Sequence, residues 1–301
     1  MSERRAVIDA PGAPGAVEVA APVARVRAER PGIMVAGATL LGLVVAVAVL
    51  APVIASHDPT ELSGSALELP SGSHLLGTDV PGRDLLAQLV YGARSSLTVA
   101  LVAASLAMSG AVVVGVLPAL LGRTVDALSA RAVIFILALP GLPLIVLIGS
   151  LVGESRLALI GVIGFLGIAP NARILRSQTL TLRQRGFITA ARGFGGGPLY
   201  LVRRHLVPGL GPLIVLGFVN WAGLAIGIEA ALSFLGLGDP TGVSWGLTLN
   251  RALSEPSIYF SDMWTWWVLP PGLAITVAVV GFTFVGVGLE PRFNPRWLRS
   301  S

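Results

Sequence analysis

The sequence predicts an all-α integral membrane protein with six transmembrane helices. Hydrophobic residues make up 54% of the 301 residues and charged residues only 12%, and the mean hydropathy is +0.81. A soluble domain carries about 25% charged residues, so most of this chain belongs in a bilayer. Long apolar segments recur along the sequence, and the basic residues, all of them Arg apart from three His, lie mostly between these segments.

Six apolar segments are candidates for crossing a bilayer, because about 20 helical residues span its roughly 30 Å hydrocarbon core. The fourth segment is short and interrupted by glycines, so we expect it to continue towards Ile174. The segments are 33–54, 97–121, 132–152, 157–168, 208–235 and 267–289.

These segments divide the chain into four parts. Residues 1–30, rich in Ala, Pro, Val and charge, are expected to form a disordered arm. A cleaved signal peptide is the alternative for this end of the chain, but its apolar region would be only about 7 to 15 residues long. Residues 31–95 hold the first transmembrane helix and an extracytoplasmic loop, 96–290 the five core helices, and 291–301 a cytoplasmic tail.

The distribution of Arg predicts the orientation in the cell membrane. Seventeen of the 21 Arg residues fall on one side of a six-span arrangement, in the arm, the tail and two connections. Cytoplasmic segments are enriched in Arg, so we expect both termini in the cytoplasm. The Arg residues expected on the other side are Arg83, Arg94, Arg156 and Arg251.

The composition also excludes several classes of protein. The chain has no Lys, which a Walker A loop requires, so we do not expect it to hydrolyse ATP itself. Cys is absent, and none of His57, His74 and His205 has a His partner at zinc-motif spacing, so we expect no metal site and no bound cofactor. Arg residues between apolar segments are unlike the basic surface of a soluble nucleic-acid-binding fold. We therefore expect neither an enzyme nor a nucleic-acid partner.

The connection between the fourth and fifth segments carries the most informative pattern. Residues 187–191 can form a short helix, which the glycines at 195–197 and Pro198 end. Residues 199–205 can form a second helix, with the next span beginning at Pro208. A short helix with small residues on its face and Arg at its edges suits a groove on another protein, and Phe187 can serve as its anchor.

This connection resembles the EAA loop of bacterial ABC importer permeases. The resemblance rests on Thr189-Ala190-Ala191, then Gly195, then 205–208; Thr189 replaces the Glu of the family, and Gly186 replaces an acid common three positions earlier. It implies a coupling helix that fits an ATPase subunit. The coupling residues it implies are Arg185, Phe187, Ile188, Thr189, Ala190, Ala191, Arg192, Gly195 and Pro208.

Further segments resemble the C-type subunit of the dipeptide, oligopeptide and nickel permeases. They are 74–85 with 91–97, and 229–238 with 244–246, and the resemblance extends over about 35–295. It implies the type I ABC importer permease fold and uptake of peptides or similar solutes by alternating access. It also implies a second permease subunit, two ATPase domains that bind ATP and Mg²⁺, and an external substrate-binding protein. A self-contained secondary transporter or channel, and a membrane scaffold without transport, are the alternatives.

Glu229 is the only acid clearly inside a predicted span. A carboxylate at mid-bilayer costs about 2.5 to 3.5 kcal/mol, so it should face protein or water. Ala222, Ala225 and Ser233 share its helical face, which suits a transport pathway or close helix packing. The alternative is a position near the outer boundary, where Glu229 caps a helix or pairs with an Arg of the partner.

A turn before the second span is expected outside the membrane. Its residues are Gly77, Thr78, Asp79, Gly82, Arg83 and Asp84. One interpretation is an internal pair between the Arg and a carboxylate that locks the loop. The other is contact with the binding protein.

Overall fold

The computed structural model describes residues 31–152 and 155–293. The predicted arm, and most of the predicted tail, lie outside the described residues. Within them the chain is helical apart from loops, and a single isolated β-bridge joins Thr78 and Asp84. The helices are α1 (Pro31–Ile54), α2 (Leu85–Ala111), α3 (Pro118–Leu121), α4 (Arg123–Ala138), α5 (Gly141–Val152), α6 (Arg156–Leu182), α7 (Gly186–Gly193), α8 (Pro198–Leu201), α9 (Val207–Phe234), α10 (Trp245–Leu253), α11 (Trp264–Trp267) and α12 (Leu269–Phe293).

Five helical runs in the described part of the chain are long and apolar enough to cross a membrane. They are Gly32–Ile54, Leu85–Leu121, Arg156–Leu182, Pro198–Phe234 and Trp264–Pro291. Each contains or overlaps a predicted span, and the fourth predicted span extends well beyond its expected end. These runs confirm an all-α membrane protein.

The third predicted span, 132–152, is not one helix. It is divided between α4 and α5 at Leu139 and Pro140, where Leu139 has an extended backbone (ψ 140°). The ring of a proline disfavours helical geometry at the residue before it. The number of six crossings therefore stays a prediction.

The α2 helix lies at the centre of the bundle and packs against α6, α9 and α1, while α12 packs against α1 and α9. Alanines that are no more than 1% exposed recur along α2, at Ala93, Ala100, Ala103, Ala104 and Ala107. Small residues let membrane helices approach closely. Two glycines of the fourth predicted span serve the same purpose, since a Cβ at Gly164 would meet Leu106 at 2.6 Å and one at Gly167 would come closer still to Trp221.

Two wide helical turns accommodate prolines. A π-type turn at 112–116 precedes Pro118. Because proline has no N–H to donate to the Val114 carbonyl, the Ser129 hydroxyl donates to it instead, at 2.7 Å. A second π-type turn at 202–206 precedes Pro208. The second helix expected at 199–205 and the span expected from Pro208 are not separate helices, because α8, this turn and α9 form one continuous helical run.

Candidate functional site

The α7 helix is the predicted coupling segment, and its bounds enclose the expected 187–191 helix. Among its described residues only Ile188 is buried, with no exposed surface. Ile188 belongs to an apolar cluster with Leu175, Leu201 and Leu206. Ile188 is therefore the main anchor of α7, and the partly buried Ala191 packs against the same cluster.

The opposite face of α7 is open. Phe187 is 51% exposed and Phe194, at the C-terminal end of the helix, is 93% exposed. Ala190 lies between them at helical spacing and is also exposed. Two aromatic rings flanking a small residue form the kind of surface that docks in a groove of another protein.

Contacts beyond Ile188 orient α7. The His205 ring lies 6.0 Å from the Phe187 ring and 5.6 Å from the Tyr200 ring, measured between centroids. Gly195 ends the helix with φ +85°, a conformation that favours glycine. Arg185, Thr189 and Arg192 are exposed around the helix, while Pro208 lies in the continuous run described above.

Glu229 lies within α9 and is 2% exposed. Its carboxylate accepts a hydrogen bond from the Ser96 hydroxyl of α2 and another from the Ser233 hydroxyl, each at 2.9 Å. In the part of the chain that the structure covers, no basic side chain lies within ion-pair distance of Glu229. The acid thus joins two helices through hydroxyl groups.

Glu229 and Ser233 line a cavity of about 360 Å³ between α2, α6 and the loop after α9. Arg94 and Arg156 line the same cavity, and the Arg156 guanidinium donates to the Ser95 carbonyl (3.3 Å). The cavity therefore offers a solute two carboxylates, those of Glu229 and Asp239, and two guanidinium groups.

Ala222 and Ala225 occupy a different environment from the other two pathway candidates. Both have no exposed surface and belong to the main apolar core. They lie in the contact of α9 with its neighbours rather than on the cavity. On the other face, a Cβ at Gly223 would meet Phe282 of α12 at 2.8 Å, whereas Gly227 faces open space.

The loop before α2 is locked by its two carboxylates. Asp79 accepts the Arg83 backbone N–H (2.7 Å) and the Gln88 side-chain amide (2.9 Å). Asp84 caps α2 by accepting the Ala87 N–H at 2.7 Å. The loop closes on itself where Leu85 N–H donates to the Gly77 carbonyl.

The predicted internal ion pair of Arg83 was wrong. Among the described residues its guanidinium makes no salt bridge, and its Nε is buried without a hydrogen-bond partner. Arg83 instead lies near Arg251 of α10. Burial lowers the pKa of the Arg251 guanidinium, and the charge of Arg83 lowers this pKa further, while Asp79 opposes both.

Comparison with known families identifies the chain. The model of the family described as binding-protein-dependent transport system inner membrane component matches residues 111–299, more than half of the chain. The chain belongs to this family. It is therefore a multi-pass permease subunit of an ABC importer, and its family is one of transport proteins rather than enzymes.

Individual relatives resemble the permease over most of its length. A putative peptide permease of Brucella suis is 35% identical over 247 residues, covering 81% of each chain. A putative peptide transport system permease of the same organism is 36% identical over 264 residues, 86% of each. The dipeptide transport system permease protein DppC of Alkalihalophilus pseudofirmus is 33% identical over 265 residues, 87% of the permease and 85% of the relative.

Sequence reasoning missed one cluster in the permease. His57 and His74 were treated as isolated loop residues, yet their rings stack at 4.8 Å beside Asp84. Thr78 was expected in the turn, and it stabilises the loop by accepting the Glu68 N–H at 2.8 Å. The only sequence signal for the cluster of His57, His74 and Asp84 was that His74 and Asp84 belong to one motif.

Proposed function

We propose that this permease imports short peptides and forms the pathway together with a second permease subunit. Two separate ATPase domains, which bind ATP and Mg²⁺, supply the energy, and an external binding protein delivers the peptide. ATP binds to those domains rather than to this chain. The Arg-rich segments, and with them both termini, lie in the cytoplasm, where α7 meets the ATPase.

One observation carries the proposal: a single helical run connects the α7 region with the cavity. Pro198–Phe234 contains 37 residues, which makes a rod of roughly 55 Å at 1.5 Å per residue. His205 of this run contacts Phe187 near one end, and Glu229 lies near the other. A rod of this length can transmit a movement of α7 to the cavity walls.

The cavity supports a peptide as the solute. A short peptide carries an ammonium group at one end and a carboxylate at the other, and the cavity presents Glu229 together with Arg94 and Arg156. Its volume of about 360 Å³ lies at the small end of ligand pockets. The names of the relatives, peptide permease and dipeptide permease, point to the same class.

The loop of residues 77–84 is assigned to the outer side, where the binding protein docks. The Asp79 and Asp84 carboxylates already accept hydrogen bonds within this segment. The groups that contact the binding protein are therefore other, exposed groups of the loop. The exposed Val80 is the candidate.

The test compares Phe187→Ala with a matched control in the complete transporter in proteoliposomes. Phe260→Ala is the control, because Phe260 is 91% exposed but lies after α10, towards the other end of the bundle. We expect Phe187→Ala to lose most peptide-stimulated ATP hydrolysis and uptake with normal membrane insertion, and Phe260→Ala to retain both.

Two outcomes would contradict the proposal. Equal uptake by Phe187→Ala and wild type would remove the coupling role of α7. Uptake by the chain alone, without ATPase subunits, would favour a self-contained secondary transporter or channel.

A further inference from the structure

Three potential metal ligands converge beside the N-terminus of α2. The Nδ1 atom of His74 lies 2.8 Å from Oδ2 of Asp84, and Nδ1 of His57 lies 3.5 Å from the same oxygen. The three ligand atoms lie within 4.8 Å of one another. Three residues of one loop thus bring two imidazole nitrogens and one carboxylate oxygen close together.

Two of the three separations are close to those of a zinc site. Ligands at about 2.0 to 2.1 Å from a tetrahedral zinc ion lie roughly 3.3 to 3.4 Å from each other. The distance from His57 to Asp84 agrees with this value, and the hydrogen-bonded distance from His74 to Asp84 must lengthen by roughly half an ångström. The two imidazole rings, stacked at 4.8 Å between centroids, must also turn so that a nitrogen of each faces the ion.

The surroundings suit a bound ion. The His74 and Asp84 side chains are 4% and 6% exposed, while that of His57 is 30% exposed. Two ligands are therefore held by the protein interior, and the third faces solution, where an ion can arrive and water can complete the coordination. The second oxygen of Asp84 accepts the Ala87 N–H, which orients the carboxylate as outer contacts of metal ligands commonly do.

We propose that His57, His74 and Asp84 form a zinc site that ties the 55–84 loop to the start of α2. Imidazole and carboxylate ligands in this number suit Zn²⁺, with water in the fourth position. The ion bridges the segment that follows α1 to the cap of α2, so it crosslinks two transmembrane helices on one side of the membrane.

The site adjoins the cavity. Pro59, two residues after His57, lines the cavity together with Tyr91 of α2. An ion that fixes His57 to Asp84 therefore also fixes the segment that borders the cavity. In this role the metal stabilises the loop and does not itself bind the peptide.

The composition of the chain permits a clean binding experiment. The permease has three His and no Cys, so a full-length protein purified without a polyhistidine tag offers few other strong ligands. The chelator-treated protein in detergent is titrated with Co²⁺, whose tetrahedral complexes absorb visible light, and then with Zn²⁺ in competition. We expect one Co²⁺ per chain and its displacement by one Zn²⁺.

Variants assign the binding to this cluster. His57→Gln and Asp84→Asn are each expected to weaken binding by at least about 100-fold, more than the 10- to 100-fold typical of an outer-shell change. Asparagine still caps α2, so Asp84→Asn retains the fold. His205→Gln, which alters the one remaining His, is the control and retains wild-type binding.

Either of two results would overturn the site. One is the absence of stoichiometric binding to the wild-type protein, and the other is wild-type affinity in His57→Gln. X-ray absorption at the zinc edge must also indicate two imidazole ligands, and a spectrum with none or one contradicts the assignment.

The crosslink is tested separately with a Glu-specific protease. Glu61 lies exposed in the 55–84 loop, and Zn²⁺ should slow cleavage there at least tenfold in the wild-type protein but not in His57→Gln. Equal cleavage rates with and without Zn²⁺ would refute the crosslinking role.

Discussion

Ile188→Ala should release α7 from the bundle without unfolding the protein. Ile188 has no exposed surface and is the one buried side chain among the described residues of α7. Truncation of a buried Ile to Ala costs about 2 to 5 kcal/mol. Because few other contacts hold α7, most of this cost should fall on its local docking rather than on global unfolding.

The size of the effect follows from that range. A loss of 2 kcal/mol raises the equilibrium constant for opening about 30-fold, since each 1.4 kcal/mol is tenfold. Ile188→Val, which removes one methyl group, should cost about 0.5 to 1.5 kcal/mol and raise opening less than about 15-fold. Phe187→Ala, which truncates a half-exposed ring, should change opening little.

Hydrogen exchange followed by mass spectrometry measures this opening. Peptides covering 186–193 should exchange faster in Ile188→Ala, with a smaller change in Ile188→Val, while peptides of α2 stay unchanged. The reasoning fails if 186–193 exchanges at the wild-type rate in Ile188→Ala, or if α2 loses protection to the same extent.

Three further changes test other contacts. Gly167→Val should lower thermal stability by at least about 1 to 3 kcal/mol, because a Cβ there would meet Ala107 at 2.5 Å; Gly161→Val on the same helix faces open space and should melt near wild type. Asp126→Asn breaks an ion pair in which Arg176 donates two hydrogen bonds (2.6 and 2.8 Å). It should lower the free energy of unfolding in denaturant by about 1 kcal/mol at low salt and by less in 1 M salt. An equal loss at low salt and in 1 M salt contradicts this. Glu229→Gln should leave the free energy of unfolding unchanged but reduce peptide uptake several-fold. Wild-type uptake by this variant would mean that the Glu229 carboxylate takes no part in transport.

The transmembrane segments could be predicted because their signal is local. A helix in lipid satisfies its own backbone hydrogen bonds, so apolar length is nearly sufficient to find it. The division of 132–152 was also a local signal, since Pro140 was visible in the sequence. The sequence did not reveal that the helix continues through Pro208, because a wide turn can accommodate a proline only where surrounding contacts favour it.

The candidate sites likewise combine features that neighbouring residues determine with features that depend on tertiary contacts. The short helix with Phe187 and its closing glycine follows from neighbouring residues, so its position was predictable. That Ile188 points inward depends on α6 and α8, and sequence spacing cannot reveal it. The Arg83 interpretation failed for the same reason, because backbone N–H groups and Gln88 reach Asp79 first.

By itself, the sequence determined that this chain lies in a membrane and which segment resembles a coupling helix, and it predicts that most of the Arg residues lie on the cytoplasmic side. Each of these depends on composition or on residues close together in the chain. Only the tertiary structure decided that Ser96 binds Glu229 and that His57 meets His74 and Asp84. Such contacts join segments far apart in sequence, and their geometry depends on how helices and loops pack, which no local pattern specifies.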